Sequence, residues 1–130
     1  MTNTETQNHD FWQSVYAAFP YPLGRVRAEI NRIAAKCLKQ ALGWTGPITL
    51  DPSTCDVRAE VIGGKELGDL VCYHGRVNTT GRTTAIVIVR MQGKSVVIEG
   101  NNRVNRWVAE GDLTPRQALV IVPREGAPAA

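Results

Sequence analysis

The residues best placed to do chemistry stand together in one stretch: Val96, Val97, Ile98, Glu99, Gly100, Asn101, Asn102 and Arg103. The pattern reads as a buried strand that reaches a glycine and gives way at once to a helix. The first N–H groups of such a helix have no intrahelical partners, and the helix dipole adds partial positive charge there. Gly100 removes the Cβ that would hold an anion off, and Asn101 or Asn102 supplies a capping or ligand-binding amide. Arg103, in the first turn, projects a guanidinium toward the same point, and Arg106, one turn on, reinforces it. That arrangement suits a phosphate group. Glu99 is the candidate catalytic carboxylate, able to hold Mg²⁺ or to orient water for phosphoryl or phosphodiester hydrolysis. The same residues also fit a plain glycine turn, with Arg103 paired to Glu99 or Glu110.

A second pairing is weaker. Cys72 and His74 stand two apart, on one face if the segment is a strand, within reach of a nucleophile–base pair. Cys72 is also a natural small buried apolar residue. The three cysteines, Cys37, Cys55 and Cys72, are odd in number and lack the CxxC spacing of a disulfide scaffold or zinc site. No HExxH, Walker A, GxSxG or GxGxxG pattern occurs.

The elements that must position these groups follow from spacing. Asp10 can cap a short helix carrying Phe11, Trp12, Val15 and Tyr16, which Pro20 and Pro22 end. Val26, Ile30, Ile33, Ala34, Cys37, Leu38 and Ala41 recur at a helical period, so residues 23–42 form an amphipathic helix stopped at Gly43. Arg25, Arg32, Lys36 and Lys39 lie mostly off its apolar stripe, making it basic. Ile48 and Leu50 alternate with polar residues, as do Cys55, Val57, Ala59 and Val61, and both stretches read as strands. Residues 65–73 fit a short helix or a strand, and 78–82 a loop. Residues 83–91 and 94–99, joined by Gln92 and Gly93, make a hairpin. A helix over 104–110 follows, closed by Gly111. Thr114, Pro115 and Gln117 suggest one further helical turn before a buried strand over 118–122.

Length and composition bound the answer. At 130 residues and 43% hydrophobic, the chain suits one domain with a small core. Its apolar runs, 85–89 and 118–122, fall far short of the roughly 18 residues a membrane span needs. The first ten residues lack the basic start and apolar run of a secretory signal, so a cytoplasmic protein without membrane partners is expected.

The net charge of +3 hides segregation. Residues 25–44 carry Arg25, Arg27, Arg32, Lys36 and Lys39 against Glu29 alone. Residues 45–75 are acidic. Residues 76–124 carry Arg76, Arg82, Arg90, Lys94, Arg103, Arg106, Arg116 and Arg124 against Glu99, Glu110 and Asp112. The guanidinium fork matches phosphate oxygens, so Arg76, Arg82 and Arg90 are candidate nucleic-acid contacts.

The run from Thr84 to Arg124, with its hairpin, GNNR turn, helix and closing strand, resembles the core of the ParB/sulfiredoxin-like superfamily. The likeness covers about a third of the chain. It implies that Gly100, Asn101, Asn102 and Arg103 hold the phosphates of ATP or CTP. Superfamily members include partition CTPases, sulfiredoxins, nucleases and plasmid fertility-inhibition proteins of the Osa type, with ATPase and DNase activity. Asn101 stands where sulfiredoxins carry their reactive cysteine, which argues against reductase chemistry. The long DNA-binding helical region of the partition proteins has no counterpart here.

The expectation is an α/β (α+β) domain over residues 10–124, between a disordered start (1–9) and tail (125–130). A helical part (10–44), holding the basic amphipathic helix, precedes a ParB/sulfiredoxin-like core (45–124) with a small mixed sheet and packed helices. Its expected function is ATP or CTP binding, with Mg²⁺, in a plasmid or phage protein that acts in conjugation control or DNA transactions, with ATPase or DNase activity. Its partners would be the nucleotide and DNA or a DNA-processing or secretion protein. The alternative is a non-enzymatic DNA-binding or partner-blocking protein in which the GNNR turn is only structural.

Overall fold

Leu23–Leu42 is a helix (α2) in the computed structural model, which describes residues 3–72 and 85–124, with side chains from residue 9 onward. Val26, Ile30, Ala34, Cys37 and Leu38 are buried along one side, the stripe that their spacing requires. The Pro22 carbonyl accepts the N–H groups of Arg25 and Val26 and starts the helix. Gly43, in the left-handed region at φ 70°, ends it by donating to the Lys39 carbonyl.

The preceding helix (α1) runs over Asn3–Ala18, not from Asp10. Once the Trp12 to Phe19 segment is packed, extending a helix backward costs little, because nucleation has already occurred. Trp12 and Val15 are fully buried against Ile30, Leu38 and Leu50.

The strands are Cys55–Ile62 (β1), Ile86–Met91 (β2), Lys94–Glu99 (β3) and Arg116–Pro123 (β4). They form one mixed sheet in the order β1-β4-β2-β3. β2 and β4 are parallel neighbours in the middle, and the outer pairs are antiparallel. The β2–β3 hairpin turns at Gln92 (φ 53°) and Gly93 (φ 73°), the two positive φ values that a twist-matched two-residue turn demands. Short helices Gly64–Gly68 (α3) and Asn101–Ala109 (α4) complete the fold.

Alternation along the strands feeds two cores. Val57, Val87, Val89, Val96, Ile98, Leu119 and Ile121 face α1 and α2. Ile62, Ile86, Ile88, Val97, Ala118 and Val120 face Leu67 and Val104 of α3 and α4. The central strands are buried on both faces, which accounts for their continuous apolar runs. The expected α+β architecture, a small mixed sheet with helices packed on it, is the one observed. Among the described residues no helix is long and apolar enough to cross a membrane.

Two local expectations are corrected and one open reading is resolved. Ile48 and Leu50 join no strand. Leu50 is buried, and its N–H donates to Asn31 Oδ1 on α2 at 2.8 Å, so the segment is tied to a helix instead of a sheet. Of residues 65–73, the described 65–72 divide their roles: α3 ends near Gly68, and Val71 then bridges Val96 of β3. No helical turn follows Pro115, since β4 already begins at Arg116 and pairs there with Ile62. The 78–82 loop and the 125–130 tail lie outside the described residues.

Removing the Asn31 acceptor leaves a part-buried N–H to be satisfied elsewhere. Asn31→Ala is expected to cost about 1–2 kcal/mol in urea unfolding. The Leu50 amide should also lose its hydrogen-exchange protection.

Candidate functional site: the Gly100 corner

β3 and α4 meet at Gly100, which adopts φ 96° and ψ 18° and serves as the helix N-cap. A bulge precedes the corner: Val87 pairs with Glu99 but Ile88 pairs with Val97, so Ile98 is an extra residue in β3. The Val104 N–H bonds the Gly100 carbonyl at 3.0 Å and begins the helical ladder. The N–H groups of Asn101, Asn102 and Arg103 therefore precede that ladder and point out of the end of α4.

The space over Gly100 is used by the protein itself. A Cβ there would lie 2.6 Å from Ile86 Cγ2 and 3.0 Å from Arg103 Nη2. The missing side chain lets β2 and the Arg103 guanidinium close over the turn, where the sequence suggested room for an anion. The Arg103 Nη2 atom is buried, although the residue as a whole is half-buried. Asn101 Nδ2 donates to the Val97 carbonyl at 3.0 Å and ties the first helical residue to the bulged strand. Asn102 and Glu99 are half-buried beside it, and Arg106 is exposed. Glu99, Asn102 and Arg103 all hold partners. The structure thus gathers Glu99, Gly100, Asn101, Asn102 and Arg103 at one corner, with Arg106 on the exposed side of the same helix.

The other predicted contacts fare differently. Arg76 and Arg82 lie outside the described residues, as does His74. Arg90 is committed within the fold. Its guanidinium donates to both Glu60 carboxylate oxygens, at 2.8 and 3.0 Å, and to Ser95 Oγ at 3.2 Å, with Glu66 at 3.4 Å. It is a clasp from β2 across to β1 and α3. Arg116 stacks on Trp107 at 3.8 Å from the ring centroid and reaches Asp112 Oδ2 at 2.6 Å. The Thr114 hydroxyl and then Arg116 hold the Asp112 carboxyl below its ordinary pKa. Arg124 ties the end of β4 to Asp56 and to the Pro52 and Ser53 carbonyls.

These clasps escaped the sequence reading. The Asp112–Arg116 spacing was the one available signal; the Glu60–Arg90 and Asp56–Arg124 pairs join residues far apart in the chain.

Among the described residues no three His, Cys, Asp or Glu side chains converge as a metal site. A Mg²⁺ ion at Glu99 would take its remaining ligands from a nucleotide's phosphates and water, a mode common for this ion. A groove of about 590 Å³ opens at the far end of β3, between Lys65, Glu66 and Asp69 of the α3 region and Lys94 of the hairpin. Its lining carries both charge signs and includes no residue of the Gly100 corner.

Burial pushes the Cys72 thiol up to about 11. From the unperturbed value of 9.0, that leaves about a hundredth of the thiolate at pH 8. Cys72 in the folded chain is expected to react with iodoacetamide about a hundredfold more slowly than in urea. Labelling as fast as in the unfolded chain would restore the nucleophile idea. Gly100→Ala combines a strained φ with the contact at Ile86. It should cost about 2–4 kcal/mol in thermal or urea unfolding.

Comparison with protein-family models, with curated proteins and with solved structures finds no match to this chain.

Proposed function

We propose that the chain binds a nucleoside triphosphate, ATP or CTP, by its phosphates at the Gly100 corner. One observation carries this reading. The Arg103 guanidinium lies over the same glycine that starts α4, so a cation and the outward N–H groups of Asn101, Asn102 and Arg103 share one corner. Partial positive charge at a helix N-terminus and a forked cation favour the same ligand, a phosphate. Arg106, exposed one turn on, is within the helix's reach of a second phosphate. Glu99, which already holds a partner within the fold, is the carboxylate at this corner, so Mg²⁺ binding and ATPase or DNase chemistry would fall on it.

A second reading rests on α2. Arg25, Arg32, Lys36 and Lys39 are exposed on the side of the helix opposite its buried stripe. Glu29 pairs with Arg25 at 3.6 Å and Arg32 at 2.8 Å, which leaves the two lysines as the outward charge. That stripe would suit a nucleic-acid backbone with no nucleotide turnover.

A nucleotide panel read by melting temperature separates the two. A ligand at a hundred times its dissociation constant adds about 2.7 kcal/mol, a rise of roughly 10 °C for a domain of this size. ATP or CTP with Mg²⁺ should give such a shift. Arg103→Ala should abolish it while the unliganded protein still melts cooperatively, and Arg106→Ala should reduce it. Absence of any shift across nucleotides, with and without Mg²⁺, rejects the nucleotide reading. Salt-sensitive DNA binding lost in Lys36→Ala/Lys39→Ala would then favour the second.

A further inference from the structure

The sheet has two edges, and the chain treats them differently. The β3 edge is covered: the Val71 N–H donates to the Ser95 carbonyl and the Val97 N–H donates to the Val71 carbonyl, both at 2.9 Å. The β1 edge has no partner strand among the described residues. We propose that two copies of this chain pair through that edge, with β1 antiparallel to β1 about a two-fold axis at Ala59.

Hydrogen bonding sets which groups are available. The Arg124 N–H donates to the Thr54 carbonyl, so the even-numbered residues of β1 turn their backbone groups toward β4. Odd-numbered residues, Ala59 among them, turn theirs outward. The Cys55 N–H agrees, because it bonds Asp51 on the outer side instead of β4. β1 is eight residues long, pairs with β4 without a register shift and contains no proline. It therefore lacks the bulges and prolines that commonly blunt a bare edge.

Side-chain charge and strand overlap together select one register. Asp56, Arg58 and Glu60 share a face of β1, and Val57, Ala59 and Val61 share the other. With the axis at Ala59, each Arg58 stands opposite Glu60 of the second copy, and each Val57 opposite Val61. Shifting the axis to Arg58 sets Arg58 against Arg58 and Asp56 against Glu60; shifting it to Glu60 sets Glu60 against Glu60. A two-fold at Val57 also pairs opposite charges twice, Arg58 with Asp56, but it overlaps only residues 55–59 of each β1, whereas the Ala59 register overlaps residues 56–62 and adds the Val57–Val61 contacts.

Burial fits the same arrangement. α1 covers the first half of β1, where Cys55 and Val57 are buried, and leaves the second half bare, where Val61 is 65% exposed. A two-fold at Ala59 sets each bare half beside the covered half of the other copy. Arg58 is exposed and would join Arg90 on the Glu60 carboxylate of the other copy, whose oxygens have lone pairs left to accept a second cation.

Sedimentation equilibrium of the full chain, from micromolar to millimolar concentration, tests the pairing without any nucleotide. The wild type should pass from monomer to dimer. Arg58→Glu should raise the dimer dissociation constant roughly tenfold or more, and Arg58→Lys should leave it nearly unchanged. Val61→Lys alters a side chain that is already exposed, so it should weaken the dimer while leaving the melting of the monomer in place. Ala59→Pro removes an outward N–H, which an edge strand tolerates, and should leave a monomer. Protection of the Ala59 amide from hydrogen exchange should rise with concentration. A wild type that stays monomeric throughout overturns the proposal. So does a dimer that survives Arg58→Glu and Ala59→Pro, since it would form through another surface.

Discussion

The fold turns on a close approach that only glycine allows. β4 lies parallel to β2 and directly beside it, so the chain leaving β3 must reverse within a few residues and cross back under the sheet. Gly100 makes that reversal with a backbone angle L side chains resist, while Ile86 of β2 packs into the space a Cβ would fill. Ile86, Ile88, Val97, Ala118 and Val120 form one core with Val104 of the helix that starts there. The corner, the parallel pair and the second core are thus one constraint. The bulge at Ile98 and the Asn101 bond to Val97 are local adjustments that let a pleated strand meet it.

Elements with enough repeats were legible in the sequence. Five full turns of helical periodicity specify Leu23–Leu42 to its ends, and the left-handed requirement at Gly43 marks the stop. The hairpin follows from two β-branched runs around a residue pair able to take positive φ. Ile48 and Leu50 misled because two alternating positions are satisfied by any extended segment, and what orders this one is a long-range bond from Asn31. Residues 65–73 were ambiguous because their described part, 65–72, is both things in turn, a helical turn and then a bridging residue. The strand–glycine–helix corner was legible as a corner. The tight packing of Ile86 over it was not, since no spacing rule announces which strand lies behind a glycine.

Arginine counts carried less information than their chemistry suggested. Arg90, Arg116 and Arg124 each satisfy two or more acceptors inside the fold, bridging strands or stacking on Trp107. The guanidinium fork that suits phosphate suits carboxylate and carbonyl pairs equally well. Sequence separation hides such clasps: Glu60 and Arg90 are brought level only because β4 inserts between β1 and β2. Arg58 and Arg106 stay exposed, and they sit at the β1 edge and on α4.

The two proposed surfaces place different demands on the same scaffold. Pairing at the β1 edge uses backbone already extended and side chains already outward, so it needs little rearrangement. A phosphate at the Gly100 corner meets a guanidinium whose terminal nitrogen is buried over that glycine. Either the ligand binds the outward face of Arg103 where it lies, or Arg103 must leave Ile86 and Gly100 to reach it. In the second case the lost packing subtracts from affinity, because the binding-competent arrangement is only a fraction of the population. Arg103 would then be both lid and ligand-binding group. Its removal would lower the barrier to entry while deleting the cation that makes entry worthwhile, so binding and stability should respond to it in opposite proportion from Gly100, whose role is fixed by packing alone.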